Sequence, residues 1–208
     1  MALQGHSGFG EVIPEVDVLL IDEAHALEDI ASSYFGGEIS SRKIERLLTD
    51  SEKWCLSMAV PTDIEVAVSQ VRHQAKVFFE ALPKGSGRTR IDHSENFALS
   101  RKRSEALCEE LAALAQIIES KAHSLDLLGE SFVRRANELA TTIAFVMDAK
   151  SDSYVYWFER SSRMSKLGAA PIDVAQILNE NLFEQFSSVV LTSATLATKP
   201  EDGFKYFM

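Results

Sequence analysis

The spacing of apolar residues changes character several times along this chain. Near the start, after Val16 and Asp17, the run Val18-Leu19-Leu20-Ile21 is uninterrupted, and near the end SVVLTSATL (188–196) opens on a similar run. Short apolar runs rich in β-branched side chains predict strands buried on both faces, as in a parallel sheet. Between them the spacing lengthens to three and four. Ala26, Leu27, Ile30 and Ala31 predict a helix that breaks at Gly36-Gly37. Ser40 or Ser41 can cap a helix carrying Ile44, Leu47 and Leu48 on one face. Pro61-Thr62-Asp63 opens the next, through Ile64, Val68, Val71, Ala75 and Phe78 to Leu82, with Pro83 stopping it. A long helix is expected from Arg101-Lys102-Arg103, with Leu107, Leu111, Leu114, Ile117 and Ile118 inward. Ser131 caps or bends another that runs to about Asp148, with Phe132, Ala136, Leu139, Ile143 and Val146 inward. Four or five successive helices imply a bundle.

Alternation returns in SYVYWFE (153–159), a strand with a short partner expected at Lys166 to Ala170. Tyr154, Tyr156 and Trp157 there could stack on bases, but aromatic strand residues more often pack a core, and core is the preferred reading. Pro171-Ile172-Asp173 then starts a helix through Val174, Ile177, Leu178 and Leu182. Neighbouring parallel strands need a crossover of a dozen or more residues, commonly one helix. Here a whole bundle fills the gap between the two terminal strands. The expected fold is therefore mostly α with a small α/β part, a helical domain inserted between two adjacent parallel strands.

Composition narrows the class. The 208 residues are 46% hydrophobic, which supports a packed core. The net charge of −10 argues against a surface that grips nucleic acid along its whole length, so any polyanion contact must be local. No apolar run approaches a membrane span and no signal peptide opens the chain, so the expectation is a cytoplasmic protein without a membrane partner. Cys55 and Cys108 have no CxxC spacing and read as ordinary thiols in a reducing compartment.

The candidate chemistry follows the first strand, where VDVLLI runs into Asp22, Glu23, Ala24 and His25. In open α/β sheets ligands sit beyond the carboxyl ends of the strands. Acids placed there can hold Mg²⁺ and position a water for phosphoryl transfer. Two other readings stand beside that one. Asp22 and Glu23 could cap the following helix, or join His25 as zinc ligands, though no spaced second His or Cys pair is present. Upstream, Gly5, Gly8 and Gly10 make no phosphate loop, since no Gly-Lys-Ser/Thr follows. The basic stretch KGSGRTRID (84–92) reads as a solvated loop or as a contact for a nucleic-acid backbone through Lys84, Arg88 and Arg90.

VDVLLIDEAHALEDIA and VVLTSATL resemble motifs II and III of DinG/XPD-like superfamily 2 DNA helicases, most closely the bacterial DinG/YoaA branch. PIDVAQILNENLF and YVYWFE are similar to segments ahead of the SATL motif in bacterial DinG-like proteins. The resemblance covers nearly the whole chain and is weakest over 40–150. It implies a partial RecA-like motor domain at 1–35, a helical Arch-like insertion at 36–150, and a return to the motor domain at 151–208. It further implies ATP and Mg²⁺ as cofactors, single-stranded DNA as partner, 5′-to-3′ polarity and a role in DNA repair. Asp22 would hold the Mg²⁺ through water, Glu23 would activate the attacking water, and His25 would link the nucleotide site to neighbouring motifs. Ser193, Ala194 and Thr195 match the motif that couples hydrolysis to strand separation. In this family a four-Cys iron–sulfur segment precedes DEAH, so such a segment would lie before Met1, and no cluster is expected in this chain. The second motor domain is absent, as is a GxxxxGKS/T loop, so the expectation is a fragment inactive by itself. Its open strand edges predict weak dimerisation or partial disorder near 1–25 and 188–208. The rival expectation is a free-standing helical interaction module without catalysis.

Overall fold

The computed structural model describes residues 16–58, 63–85, 87–121, 127–162 and 164–194. The chain divides into two compact units, one of Met1–Gly36 with Ala170–Met208 and the other of Gly37–Ala169. The first unit leaves the chain once and resumes after the whole of the second.

In the first unit, β1 (Val18–Ile21) and β6 (Ser188–Leu191) pair in parallel, Val18 opposite Ser188 and Ile21 opposite Leu191. A single 3-10 turn (Ala24–Ala26) leads into α1 (Leu27–Gly36), and α6 (Val174–Asn181) precedes β6. Asp173 caps α6 by accepting the Gln176 N–H at 2.9 Å. Ala31, Leu178 and Leu182 form a small buried core, with Leu19, Ile21, Leu27, Phe35, Val174, Phe183 and Phe186 partly buried around it. Only one face of the strand pair meets this core. Side chains alternate across a strand, so Val18 and Leu20 point away and stay 57% and 64% exposed. Burial on both strand faces, expected from the apolar run, is therefore corrected: the run signals a strand with one packed face. Residues 16–25 and 188–194 of the two end segments are described and supply β1, the 3-10 turn and β6; Gly5, Gly8, Gly10, Thr195 and Leu196 lie outside the described residues.

The second unit begins with β2 (Glu38–Ser40) and continues through α2 (Ser41–Met58), α3 (Asp63–Ala81), β3 (Gly87–Arg90), α4 (Ala98–Lys121), α5 (Leu127–Asp148), β4 (Tyr154–Arg160) and β5 (Ser165–Pro171). Helix α4 packs chiefly on α3 and α5. The inward positions Leu107, Leu111, Leu114 and Ile118 meet a core that includes Ile64, Val68, Val71, Ile143 and Val146. The hydroxyl of Ser40 accepts the Lys43 N–H at 3.1 Å, so Ser40 is the cap of α2. Ser131 lies inside α5 and does not start it. The Pro61-Thr62 opening of α3 falls outside the described residues.

The four strands of this unit lie in the order β2-β5-β4-β3. Residues 151–169 sit in the same compact unit as the bundle. Tyr154, Tyr156 and Trp157 are buried, as a core reading requires. Trp157 leaves no room for a side chain on Gly168: an added Cβ would stand 2.7 Å from the indole and 2.8 Å from the Gly37 carbonyl. Gly37 itself has φ +81, where a Cβ is strained and would meet Thr142 at 2.9 Å. The basic stretch read as a loop contains β3, whose residues Gly87 to Arg90 pair antiparallel with Arg160 to Trp157. Among the described residues no helix is long and apolar enough to cross a membrane.

Candidate functional site

Parallel register decides what meets at the carboxyl end of the strand pair. Because Ile21 lies opposite Leu191, Asp22 and Thr192 leave the sheet side by side. The backbone locks them there: Thr192 N–H donates to the Ile21 carbonyl at 2.8 Å, and Ala24 N–H donates to the Thr192 carbonyl at 3.0 Å. Oδ1 of Asp22 then accepts from the Thr192 hydroxyl at 2.7 Å and from the Glu23 N–H at 2.9 Å. Oδ2 has no hydrogen-bond partner among the described residues. The Thr192 hydroxyl first, and the Glu23 amide second, hold the Asp22 carboxyl below its ordinary range. It is therefore ionised at neutral pH.

Glu23 takes the left-handed conformation, φ 53 and ψ 41, unusual for a residue with a side chain. That conformation costs about 1–2 kcal/mol. It carries the Glu23 carboxylate to the His25 ring, where Oε2 lies 3.1 Å from Nδ1. The Ser193 hydroxyl lies 2.8 Å from the same Nδ1 and 3.5 Å from Oε2. Both partners thus share one ring nitrogen. A serine–histidine–acid relay needs one partner on each nitrogen, so this cluster is no hydrolase triad. The helix-capping alternative fails too, since neither acid caps the 3-10 turn: Glu23 makes no side-chain cap bond, and Asp22 bonds the Glu23 amide instead.

Asp22, Glu23, His25 and Ser193 are therefore brought together. Ala194 follows them and is exposed, while Thr195 lies outside the described residues. Thr192 is the residue that sequence reasoning missed. Counting the parallel register forward by one from Ile21 and Leu191 would have found it.

A metal ion here would find Oδ2 of Asp22 without a hydrogen-bond partner among the described residues, and the Glu23 carboxylate is exposed as well. Mg²⁺ is a hard cation that keeps several waters and takes phosphate oxygens with one or two carboxylates, so this donor set fits it. Among the described residues no group of three or more His, Cys, Asp or Glu could hold a metal, and the zinc alternative gains no support.

The basic residues are less concentrated than their spacing suggested. Arg88 donates through Nε and Nη2 to Glu159 at 3.3 and 3.2 Å, and its guanidinium lies 4.2 Å over the Trp157 ring. Arg90 is exposed beside Asp92. Lys84 stands on the rim of a cleft of about 680 Å³ that also includes Arg72, Lys76 and Arg160, and neither Arg88 nor Arg90 lines it.

An ATP-dependent DNA helicase YoaA of Escherichia coli is 30% identical over 202 residues, covering 94% of this chain. The YoaA of Haemophilus influenzae is 28% identical over 91% of the chain. Over nearly its whole length the chain is thus similar to part of proteins named as the DNA helicase YoaA. It spans 31% and 30% of the length of those two relatives. A protein named 3'-5' exonuclease DinG from Bacillus subtilis is 22% identical over 94% of the chain and 26% of its own length. No family model matches. Among solved structures, Xpd4 of S. tokodaii aligns over 88% of this chain and 34% of its own at 16% identity, with a TM-score of 0.47.

Proposed function

We propose that this chain is a segment of an ATP-dependent DNA helicase that couples ATP hydrolysis to movement on single-stranded DNA and duplex unwinding, 5′-to-3′ and in DNA repair. The helical unit is its Arch-like insertion and the strand pair belongs to its first RecA-like motor domain. The observation that carries this reading is the cluster of Asp22, Glu23, His25 and Ser193 at the carboxyl end of two parallel strands. Relatives named as helicases over the same residues support it.

In this reading Asp22 would hold a Mg²⁺ through water, and such an ion, when bound, would supply charge neutralisation at the nucleotide phosphates. Glu23 accepts a proton from the attacking water. The left-handed backbone at Glu23 sets its carboxylate against His25, which ties the acid to Ser193 just past the end of the neighbouring strand. Ser193, Ala194 and Thr195 are the relay toward the DNA side, because a hydroxyl can exchange its hydrogen bond between His25 and Glu23. Lys84, Arg88 and Arg90 are the DNA-backbone contacts of this reading. Arg88 must first exchange Glu159 for a phosphate, so its contribution is the smallest of the three.

Glu23→Gln in the full-length protein tests the assignment. ATP turnover with single-stranded DNA falls by about 10²–10⁴-fold while nucleotide binding persists. Unchanged turnover would sink it. The 208-residue chain alone, having no GxxxxGKS/T loop, hydrolyses ATP negligibly. Robust DNA-stimulated turnover by that chain, removed by Glu23→Gln, would show that such a loop is not needed.

A further inference from the structure

The hydrogen bonds around Asp22 are all on one side of its carboxylate. Two donors, the Thr192 hydroxyl at 2.7 Å and the Glu23 amide at 2.9 Å, converge on Oδ1. A carboxylate held this way cannot spin about its terminal torsion, so one oxygen is consumed by the protein and the other is presented outward. We propose that Thr192 is a positioning residue whose hydroxyl holds Oδ1 of Asp22 and thereby leaves Oδ2 as the oxygen offered to a hydrated divalent cation. The inference rests on the reading of Asp22 as the Mg²⁺-holding residue, and it assigns Thr192 a role that the Ser193-Ala194-Thr195 relay does not contain.

Three observations single out Thr192. Its main chain is tied on both sides, to Ile21 and to Ala24, so its side chain cannot drift relative to β1. Its one hydroxyl proton has two acceptors within reach, Asp22 at 2.7 Å and the Ile21 carbonyl at 3.5 Å. The bond to a charged oxygen is the shorter and the stronger of the two. The other donor on Oδ1 is a backbone amide, which fixes the carboxylate at only one point. Thr192 supplies the second donor on that same oxygen, and the only one from a side chain among the described residues. Partners that orient a ligating group in this way are worth about 10–100-fold in metal affinity. A threonine suits the place on two counts: its branched side chain fits a strand end, and its hydroxyl is a donor that valine lacks.

The test uses the full-length protein, with a fluorescent ATP analogue as probe and Mg²⁺ as the titrant. Thr192→Val is nearly isosteric and removes only the hydroxyl, while Thr192→Ser keeps it; Thr192→Ala replaces the valine variant if that one does not fold. Thr192→Val raises the Mg²⁺ concentration needed for half-maximal nucleotide binding by about 10-fold, and Thr192→Ser leaves it near the parent value. Asp22→Asn raises it at least as far. If Asp22→Asn shifts the Mg²⁺ requirement and Thr192→Val does not, the positioning role is overturned and the metal assignment stands. If Thr192→Ser shifts it as much as Thr192→Val, shape rather than the hydroxyl is responsible and the role is again overturned. If Asp22→Asn changes nothing, the metal assignment itself fails and the role of Thr192 falls with it.

Discussion

In the helical unit Leu47, Leu48, Val68, Leu107, Leu111, Leu114 and Ile118 have no exposed surface, while on the parallel strand pair Leu20 keeps 64% of its surface and Val18 57%. Full burial of such a side chain contributes about 1.5–3 kcal/mol. The helical unit repeats that gain along four helices. In the other unit the core is three buried residues beside the strands, Ala31, Leu178 and Leu182, against one face of a two-stranded sheet, an arrangement that is marginal by itself. The proposed chemistry is thus carried by the part of the molecule with the smaller core.

The largest test of this contrast compares two leucines. Leu111→Ala removes a fully buried side chain from a dense core and costs about 2–5 kcal/mol. Leu182→Ala, with partly exposed neighbours that can collapse into the space, costs less than Leu111→Ala, near the low end of that range at about 2 kcal/mol. Both tryptophans, Trp54 and Trp157, lie in the helical unit, so their fluorescence follows that unit. In urea, Leu111→Ala shifts the tryptophan transition, while Leu182→Ala leaves it in place and speeds amide exchange in β1 and β6. Equal shifts of both signals by either variant would show one cooperative structure and erase the contrast.

Two helix caps give a finer comparison. Ser40 caps α2 and Asp173 caps α6, each through one side-chain bond to a helix amide, at 3.1 and 2.9 Å. Replacing either by alanine costs about 1 kcal/mol. Ser40→Ala moves the tryptophan transition, and Asp173→Ala is seen only in exchange of the α6 amides. A fluorescence shift from Asp173→Ala would mean that the smaller core supports the larger.

Which parts of this were legible in the sequence follows from how local their causes are. The inward face of α5 could be read residue by residue, since Phe132, Ala136, Leu139, Ile143 and Val146 are all buried. Helical spacing there is both the signal and the cause. The adjacency of Asp22 to the SAT segment was legible because a bundle between two apolar runs left few other topologies. Strand β3 was not legible: Gly-Arg-Thr-Arg has no apolar alternation, and its conformation comes from pairing with β4 and from Arg88 lying on Trp157. Strand β2 escaped for the same reason, as three residues paired with β5. Double-sided burial of β1 was misread because run composition reports a strand but not how many of its faces are covered. Thr192 was passed over because a motif directs the eye to its own letters, and the residue beside Asp22 is set by register instead.

The smallest effect separates the two regions most cleanly. Each carries one exposed aspartate held below its ordinary range, Asp22 chiefly by the Thr192 hydroxyl and Asp92 chiefly by the Ser94 hydroxyl. In both cases a backbone amide adds to the effect, from Glu23 at 2.9 Å and from Ser94 at 2.9 Å. A carboxyl whose folded value lies below the unfolded 3.8 binds its proton less readily in the folded chain. Its contribution to stability is therefore complete above that unfolded value and is lost as pH falls through the lowered one. Carboxyl carbon shifts followed by NMR from about pH 6 to about pH 2 read each group separately. Thr192→Val returns Asp22 toward its ordinary value and leaves Asp92 unmoved; Ser94→Ala does the reverse, incompletely, since the Ser94 amide remains. Failure of Asp22 to move in Thr192→Val, or of Asp92 to move in Ser94→Ala, would show that the hydroxyl is not what holds that acid down.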